Sequence, residues 1–530
     1  MSGGLLQLIA YGAQDTYLTG QPQITFFKVV YRRHTNFSME PIQQNFNGIR
    51  DFGGTITLNI NKNADLITKM HLVIDLKDII SNNEWGYVDK LGFSIIETVK
   101  LEIGPNKMDI HYGNWLNIYN ELTRNNSHDN GFSHMIGDIY ELKQLTKNHP
   151  KYKLYIPLQF WFNRNNGLAL PLIALQHHEV KITIKLRDAL DCINYKNTIT
   201  NLPQINDIYL LTDYIFLDSE ERKKFAQSKH EYLIEQVQFS GSETVTLLNS
   251  NYILNFNHPC KYLIWTLHLG RYIDRSQYIV YAFDNNWNYA KDLFAKLIWL
   301  ATRTGLTYDT QFTINIENNG LDEIVNIDST VLKTLIDKVN ATIITVDNNN
   351  IASATTDNVM LLSNLLTIQD ITLNLHQIIT DITDTNIINF LSSHSIYIKN
   401  YFNYGNYING EDNPIVSAGL QLNGHQRFQT RDGSYFNYVQ PDQYFSNTPS
   451  DGINVYSFAL KPEEHQPSGT CNFSRIDSTL LNLSFGNNNI ENIEHFNNFI
   501  INNLTELNVF TVNYNILKIM SGRGGLAYSS

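Results

Sequence analysis

Between Val180 and Arg187 the chain reads Val-Lys-Ile-Thr-Ile-Lys-Leu-Arg, apolar and polar residues in strict alternation. Successive side chains on a strand point to opposite faces, so this run has one buried and one wet face as a strand and no coherent face as a helix. The pattern recurs. Ile56, Leu58 and Ile60 alternate with Thr55, Thr57 and Asn59; Met70, Leu72, Ile74 and Leu76 keep the same period; Val99, Leu101 and Ile103 alternate with Lys100 and Glu102. Near the C-terminus, Ile453, Val455, Tyr456 and Phe458 form a strand, Pro462 and Pro467-Ser468-Gly469 punctuate a loop, and Leu481, Leu483 and Phe485 alternate with Asn482 and Ser484. Many short strands with long, decorated connections predict an all-β sandwich or jelly roll rather than βαβ units.

Other segments set the organisation. Ile24 to Tyr31 is apolar on both faces, which predicts a strand covered on both sides. Helical pieces are expected at Asn114–Thr123 and around Asp138–Thr146, inside connections. Asp218 can cap a helix with Glu220 and Glu221 in its first turn and Arg222, Lys223, Lys224 and Lys229 beyond, matching the helix dipole. We place a domain boundary there. The expected units are an arm at 1–22, a first domain at 23–217, a linker helix at 218–231, a second domain at 232–520 and a flexible glycine-rich tail at 521–530. Strands are expected in the second domain at Tyr232–Phe239, Thr244–Leu248, Tyr252–Phe256, Tyr262–Leu269 and Val509–Met520. From about 285 to 414 the texture changes, with helical spacing at Leu293, Phe294, Leu297, Ile298 and Ala301 and a short helix at Val331–Val339; this reads as one large insertion between two strands. The arm carries Leu5, Leu6, Leu8 and Ile9 between glycines; docking on another subunit and packing on its own domain are both open to it.

Composition narrows the function. Charged residues are 17%, against about 25% in average proteins, and aromatics reach 12%. That balance suits extended sheets and large protein contacts rather than disorder. A net charge of −12, with no basic run longer than Arg222-Lys223-Lys224, disfavours nucleic-acid binding as the main task. Cys192, Cys260 and Cys471 are far apart, odd in number and without a CxxC pair, so buried free thiols are expected rather than disulfides or zinc. The N-terminus has no basic leader and no run approaches ~18 apolar residues, so synthesis in the cytosol is expected. Asn125 and Asn340, each in an Asn-x-Ser/Thr context, are glycosylation candidates only for a dedicated cytosolic enzyme.

Residues with the makings of a reactive site are few. His177 and Glu179 would share a strand face but lack further ligands at metal spacing, so an interface or strand-edge role is the better reading. Glu463-Glu464-His465 could do acid–base work but sits in a proline-bounded loop without a nucleophile motif. There is no phosphate loop and no GxSxG elbow. Arg523 is a single glycine–arginine copy, poor evidence for RNA binding. No catalytic, metal or cofactor residue is assigned. The competing class is a β-sandwich lectin or glycan hydrolase, since jelly rolls host both.

Five long strings carry a resemblance: GGLLQLIAYGAQDTYLTG (Gly3–Gly20), QITFFKVVYRRHTNF (Gln23–Phe37), IPLQFWFNRNNGLALPLIALQHHEVKI (Ile156–Ile182), LQLNGHQRF (Leu420–Phe428) and NYNILKIMSGRGGLAYS (Asn513–Ser529), besides Gly452–Ser484. The chain resembles the double jelly-roll major capsid proteins of nucleocytoplasmic large DNA viruses, the mimivirus-like members above all. The resemblance implies two consecutive eight-stranded jelly-roll barrels with long loop insertions and a few short helices. It implies a homotrimer with six barrels, a near-hexagonal capsomer tiling an icosahedral shell in the virion, assembled in the host cytoplasm. Neighbouring capsomers, minor capsid and penton proteins and the internal membrane layer are the implied partners, with no sequence-specific nucleic acid and no cofactor. The termini would face inward, the arm (Leu5, Leu6, Leu8, Ile9) would make the inter-layer contact, and the insertion would form the outer cap.

Overall fold

The computed structural model describes residues 3–124, 129–195, 197–273, 277–279, 312–318, 321–327, 395–397, 399–406, 410, 412–486 and 505–528. Sixteen of its strands make two copies of one topology. The first eight are β1 (Phe37–Asn45), β2 (Thr55–Asn59), β3 (Leu66–Leu76), β4 (Ile96–Ile103), β5 (Asn106–Tyr112), β6 (Tyr152–Pro157), β7 (Val180–Leu186) and β8 (Ile205–Leu217). The second eight are β9 (His230–Thr244), β10 (Asn249–Ile253), β11 (Pro259–His268), β12 (Ile415–Leu422), β13 (His425–Asp432), β14 (Ile453–Ser457), β15 (Thr479–Phe485) and β16 (Glu506–Met520).

In the first half β1-β8-β3-β6 form one antiparallel sheet and β2-β7-β4-β5 the other. In the second half the orders are β9-β16-β11-β14 and β10-β15-β12-β13. Adding eight to each label of the first half gives the second, so each half is a jelly roll of two four-stranded sheets. The alternating strands read from sequence bury one face: β7 runs buried, half-buried, buried along Val180–Leu186. β11 and β16 differ. Nine of ten residues of β11 are buried, and Leu507 to Asn515 of β16 are buried without a break, because their sheet is covered on both sides, by its own roll's core and by the first roll.

Chain direction alternates from strand to strand, so the connections after β1, β3, β5 and β7 emerge at one end, the head, and those after β2, β4 and β6 at the other, the base. At the head, Ile79–Tyr87, Thr146–His149 and Ile193–Tyr195 of the first half join one sheet with Gln277–Ile279 and Ser395–Tyr397 of the second. Those last two strands belong to the long connection from β11 to β12, which contains the stretch marked as an insertion. Within it, Phe312–Asn318 and Leu321–Ile327 form a hairpin; the expected helices at 293–301 and 331–339, and Asn125 and Asn340, lie outside the described residues.

Several expectations are corrected. Ile24–Tyr31 is not a strand: it is solvent-exposed and turns at Phe26 and Phe27, which are 90% and 98% exposed, because no strand among the described residues pairs with it. Its two apolar faces are uncovered rather than doubly covered. Thr244–Leu248 is the end of β9 and a turn, with β10 starting at Asn249. Only Tyr140–Lys143 of the segment around 138–146 is helical, and Thr146–His149 is a head strand. The linker helix spans Ser219–Gln227; Asp218 caps it by accepting from the Glu220 and Glu221 amides, and Arg222 ties it to Asp65 at 2.8 Å. The C-terminal tail is not loose: Arg523–Leu526 forms strand β17 on β16.

The head sheet fixes what can be removed. Ile279 lies opposite Ser395, so 280–394 leaves and re-enters at one point. Residues 399–406, by contrast, bury Tyr401, Phe402 and Tyr404 in the shared core, and Arg187 stacks on Tyr401 at 3.9 Å. Replacing 280–394 by a short Gly/Ser turn should leave the melting temperature within a few degrees of the parent. Extending the cut to 414 should lower it by roughly 10 °C or more, through three lost aromatics at a few kcal/mol each. Paired circular-dichroism melts check both; equal melts would remove the claim that 399–406 are core.

Candidate functional site

The residues singled out for chemistry prove to be joints. At the base, the His177 amide donates to the Gly522 carbonyl at 2.9 Å, and the His178 ring meets Gly524, Nδ1 lying 3.0 Å from its carbonyl and 3.2 Å from its amide. Glu179 accepts from Asn59 at 2.8 Å. His177 and His178 therefore clasp Gly522 and β17 of the second half to the first, while Glu179 stays within the first roll. Gly522 is suited to this: it has φ of +77° and its missing Cβ would stand 2.7 Å from the His177 ring. Among the described residues no group of three or more His, Cys, Asp or Glu could hold a metal.

Glu463-Glu464-His465 docks onto the seam between the rolls. Glu463 accepts from the Ser446 amide at 2.7 Å and hydroxyl at 2.5 Å, and the Glu464 carbonyl accepts from Lys261 at 3.2 Å. At the centre of the seam lies Glu235 of β9, 2.9 Å from Arg164 of the first roll and 2.8 Å from Lys261 of β11, with the His465 ring at 3.8 Å. Burial alone would raise the Glu235 carboxyl, but Arg164, the His465 hydrogen bond and Lys261 outweigh it and hold it at about 2. Lys261 is held below its ordinary value by burial, in spite of Glu235 and helped by Arg164. That cost falls on the lysine because two cations share one anion.

Around this cluster the rolls interlock. Asp109 of β5 is buried; it accepts from the Val237 amide of β9 at 3.0 Å and pairs with His111 at 2.9 Å. Glu121 accepts from Lys90 at 2.7 Å and from the Ser450 amide and hydroxyl at 3.0 and 2.6 Å. Burial pushes the Glu121 carboxyl up, but Lys90 and Ser450 bring it below its usual value. Tyr112 and Trp115 of the first roll pack against Phe239 and Phe510 of the second. Asp412 and Asp451 lie side by side nearby; burial and Asp451 raise Asp412 to about 6 against an Asn406 hydrogen bond. Both are occupied in holding the loop, Asp451 accepting from the Asp412 amide and the Tyr438 hydroxyl.

The other surface of note is the exposed arm. Leu5, Leu6, Leu8 and Ile9 lie on a short helix at Gly3–Ile9 with exposures of 52%, 60%, 78% and 64%, and Val29, Val30 and Tyr31 exceed 75%. Alternation of chain direction brings the arm out at the base, the end where β17 is clasped.

Two jelly rolls of one topology, locked by a buried seam and trailing an uncovered apolar arm, define the double jelly-roll class of viral shell proteins. The comparisons go further. The family model described as large eukaryotic DNA virus major capsid protein matches residues 221–525, and the one described as major capsid protein N-terminus matches 25–218. Capsid protein 1 of Acanthamoeba polyphaga mimivirus is 39% identical over the whole of both chains. The major capsid protein of Paramecium bursaria Chlorella virus 1 is 37% identical, again over both whole chains. A chain of the PBCV-1 virus capsid quasi-atomic model superposes with a TM-score of 0.64 at 32% identity, covering 96% of this chain and all of that one. The Faustovirus major capsid protein, 12% identical, shares the fold with a TM-score of 0.60, covering 96% of this chain and 94% of that one. The chain belongs to the major capsid protein family of large eukaryotic DNA viruses, and its place is in the shell of the virion.

Proposed function

We propose that the chain assembles as a homotrimer whose six jelly rolls form a pseudo-hexagonal capsomer, and that these capsomers tile the icosahedral shell with heads outward and bases inward. The observation that carries this is the repeated strand order. Two equivalent rolls held at a fixed angle by the seam turn three-fold symmetry into six near-equivalent blocks. The units at 23–217 and 232–520 are the two blocks, with 218–231 joining them. The apolar arm, with Leu5, Leu6, Leu8 and Ile9 outermost, reaches minor capsid or penton proteins or the membrane-side layer, and the connection 285–414 caps the outside. Synthesis and assembly take place in the host cytoplasm, and the work is structural rather than catalytic.

Light scattering on the purified chain tests this: at micromolar concentration the mass should be three times 61.0 kDa. A stable monomer that hydrolyses glycans would reverse the reading. Deleting residues 1–20 should leave the trimer mass unchanged yet remove most of the shell assembly in co-expression, because the deleted apolar surface is spent between layers rather than within the rolls. Normal particles from the truncated chain would dismiss the arm's role.

A further inference from the structure

Cys260 and Cys471, far apart in sequence, sit directly opposite each other where Pro259–His268 pairs antiparallel with the two-residue strand Cys471–Asn472. Opposed residues of an antiparallel pair project to the same face with Cα atoms about 4.5–5.5 Å apart. A disulfide spans Cα separations of about 4.4–6.8 Å. The face is the second roll's core, where Cys260 is buried and Cys471 packs at the margin, partly buried. Both are free thiols in this structure. The ladder here is thin, since it is two residues long and includes Pro259, which has no amide to donate.

We propose that Cys260 and Cys471 are a latent disulfide that closes by exchange with oxidised glutathione and pins the 458–478 loop to the second roll. Cys471, the accessible sulfur, attacks one sulfur of oxidised glutathione as thiolate and expels one glutathione thiolate. Cys260 then attacks the Cys471 sulfur of the mixed disulfide and expels the second. Two protein thiols are oxidised, one oxidised glutathione becomes two reduced, and the two protein protons end on the departing thiols. Burial raises both protein thiols, Cys260 to about 12, while Arg427 works the other way at Cys471; the exchange is therefore slow near neutrality and faster in mild alkali. The consequence reaches the seam. The pinned loop carries the Glu464 carbonyl that accepts from Lys261 and the His465 carbonyl that accepts from the Tyr514 hydroxyl at 3.4 Å. A shell subunit made in a reducing cytosol would thus gain its clasp only after release.

The whole chain is incubated at pH 8 with oxidised glutathione until labelling is constant, then unfolded, alkylated with N-ethylmaleimide and weighed. One label, on Cys192, with no glutathione adduct and a linked peptide pair holding Cys260 and Cys471 is the expected result; the reduced protein should carry three. Cys192 is the internal control, fully buried and pushed up to about 12 by burial. The oxidised protein should melt roughly 5 °C higher, a gain absent from C471S. A persisting glutathione adduct on Cys471 beside a labelled Cys260, three labels at equilibrium, or a disulfide between chains would each overturn the proposal.

Discussion

Replacing Glu235 by alanine should strand Arg164 and Lys261 in the seam and destabilise the fold by about 3–5 kcal/mol, the usual cost of breaking a buried ion pair from one side. Glu235 is only 6% exposed and Lys261 1%, so water cannot take the carboxylate's place without opening the joint. The apparent melting temperature should fall by roughly 3–5 °C, since a cooperative unit of this length has a large unfolding entropy. Glu235→Gln should fall between, keeping a hydrogen-bond acceptor but not the charge. Converting the whole cluster, with Glu235→Leu, Arg164→Met and Lys261→Met together, should recover much of the loss, because an apolar set of similar volume carries no desolvation cost. A triple variant as unstable as Glu235→Ala would mean that the charges themselves stabilise the joint.

The same carboxylate sets an acid limit. Its folded value of about 2 lies below the ordinary 4.5, so in that interval the unfolded chain binds more protons and stability rises with pH. The contribution is complete above about pH 4.5 and is lost as pH falls through about 2; the displacement corresponds to on the order of 3 kcal/mol. Melts from pH 5 to pH 2 should steepen downward in the parent and lose that part of their slope in the triple variant. Parallel pH profiles would show that the acid response arises elsewhere.

Half-buried strands and the doubly buried β11 and β16 alike announce themselves as strands; which apolar runs are covered on both sides does not show. β2, β4 and β7 were legible because each has one wetter face, and β3 because Lys69, His71 and Asp75 keep the same period although Ile67 and Val73 are buried; a two-residue period has no other cheap explanation. Ile24–Tyr31 and β11 look alike in sequence, apolar on successive positions; one is bare and the other is sandwiched between two cores. Nothing local separates them, because coverage depends on which distant strand lies alongside. Lys261 gave a signal of sorts, a lone cation within Pro-Cys-Lys-Tyr-Leu-Ile-Trp, but its partners Glu235 and Arg164 sit on different elements and only the fold brings them together. The cysteines are free thiols, Cys192 and Cys260 buried and Cys471 partly so, as their spacing predicts; that Cys260 and Cys471 stand opposite each other has no signal in that spacing, which says nothing about opposition across a ladder. The tail's glycines suggested looseness, whereas they let β17 run close under His177 and Leu175. The identity of strand order between halves left no trace at residue level, since it resides in connection lengths and pairing.

Phe510→Ala tests whether the seam makes one body of two rolls. Phe510 is 1% exposed on β16, opposite Phe239 and Ile264, and its ring stacks on Phe239 at 4.6 Å with Trp115 at 6.0 Å. Truncation should cost about 3–5 kcal/mol, as for a buried phenylalanine whose cavity cannot collapse between two rigid sheets. Trp265→Ala is the comparison. Trp265 faces the second roll's own core, against Phe436 at 5.1 Å, and should cost as much. The two losses should differ in kind. Trp265→Ala weakens one roll, and the other follows through an intact joint. Phe510→Ala leaves each roll its core and weakens only their contact, so a single melting step should split in two. Trypsin should then cut faster at Lys223 and Lys224 of the exposed linker helix, yielding fragments that are roll-sized. Because a pseudo-hexagonal block needs a fixed angle between rolls, the same variant should trimerise yet pack poorly into shells. A single, merely lowered transition with an uncut linker would place the coupling in the base clasp and head sheet, and would make the seam a passive filler.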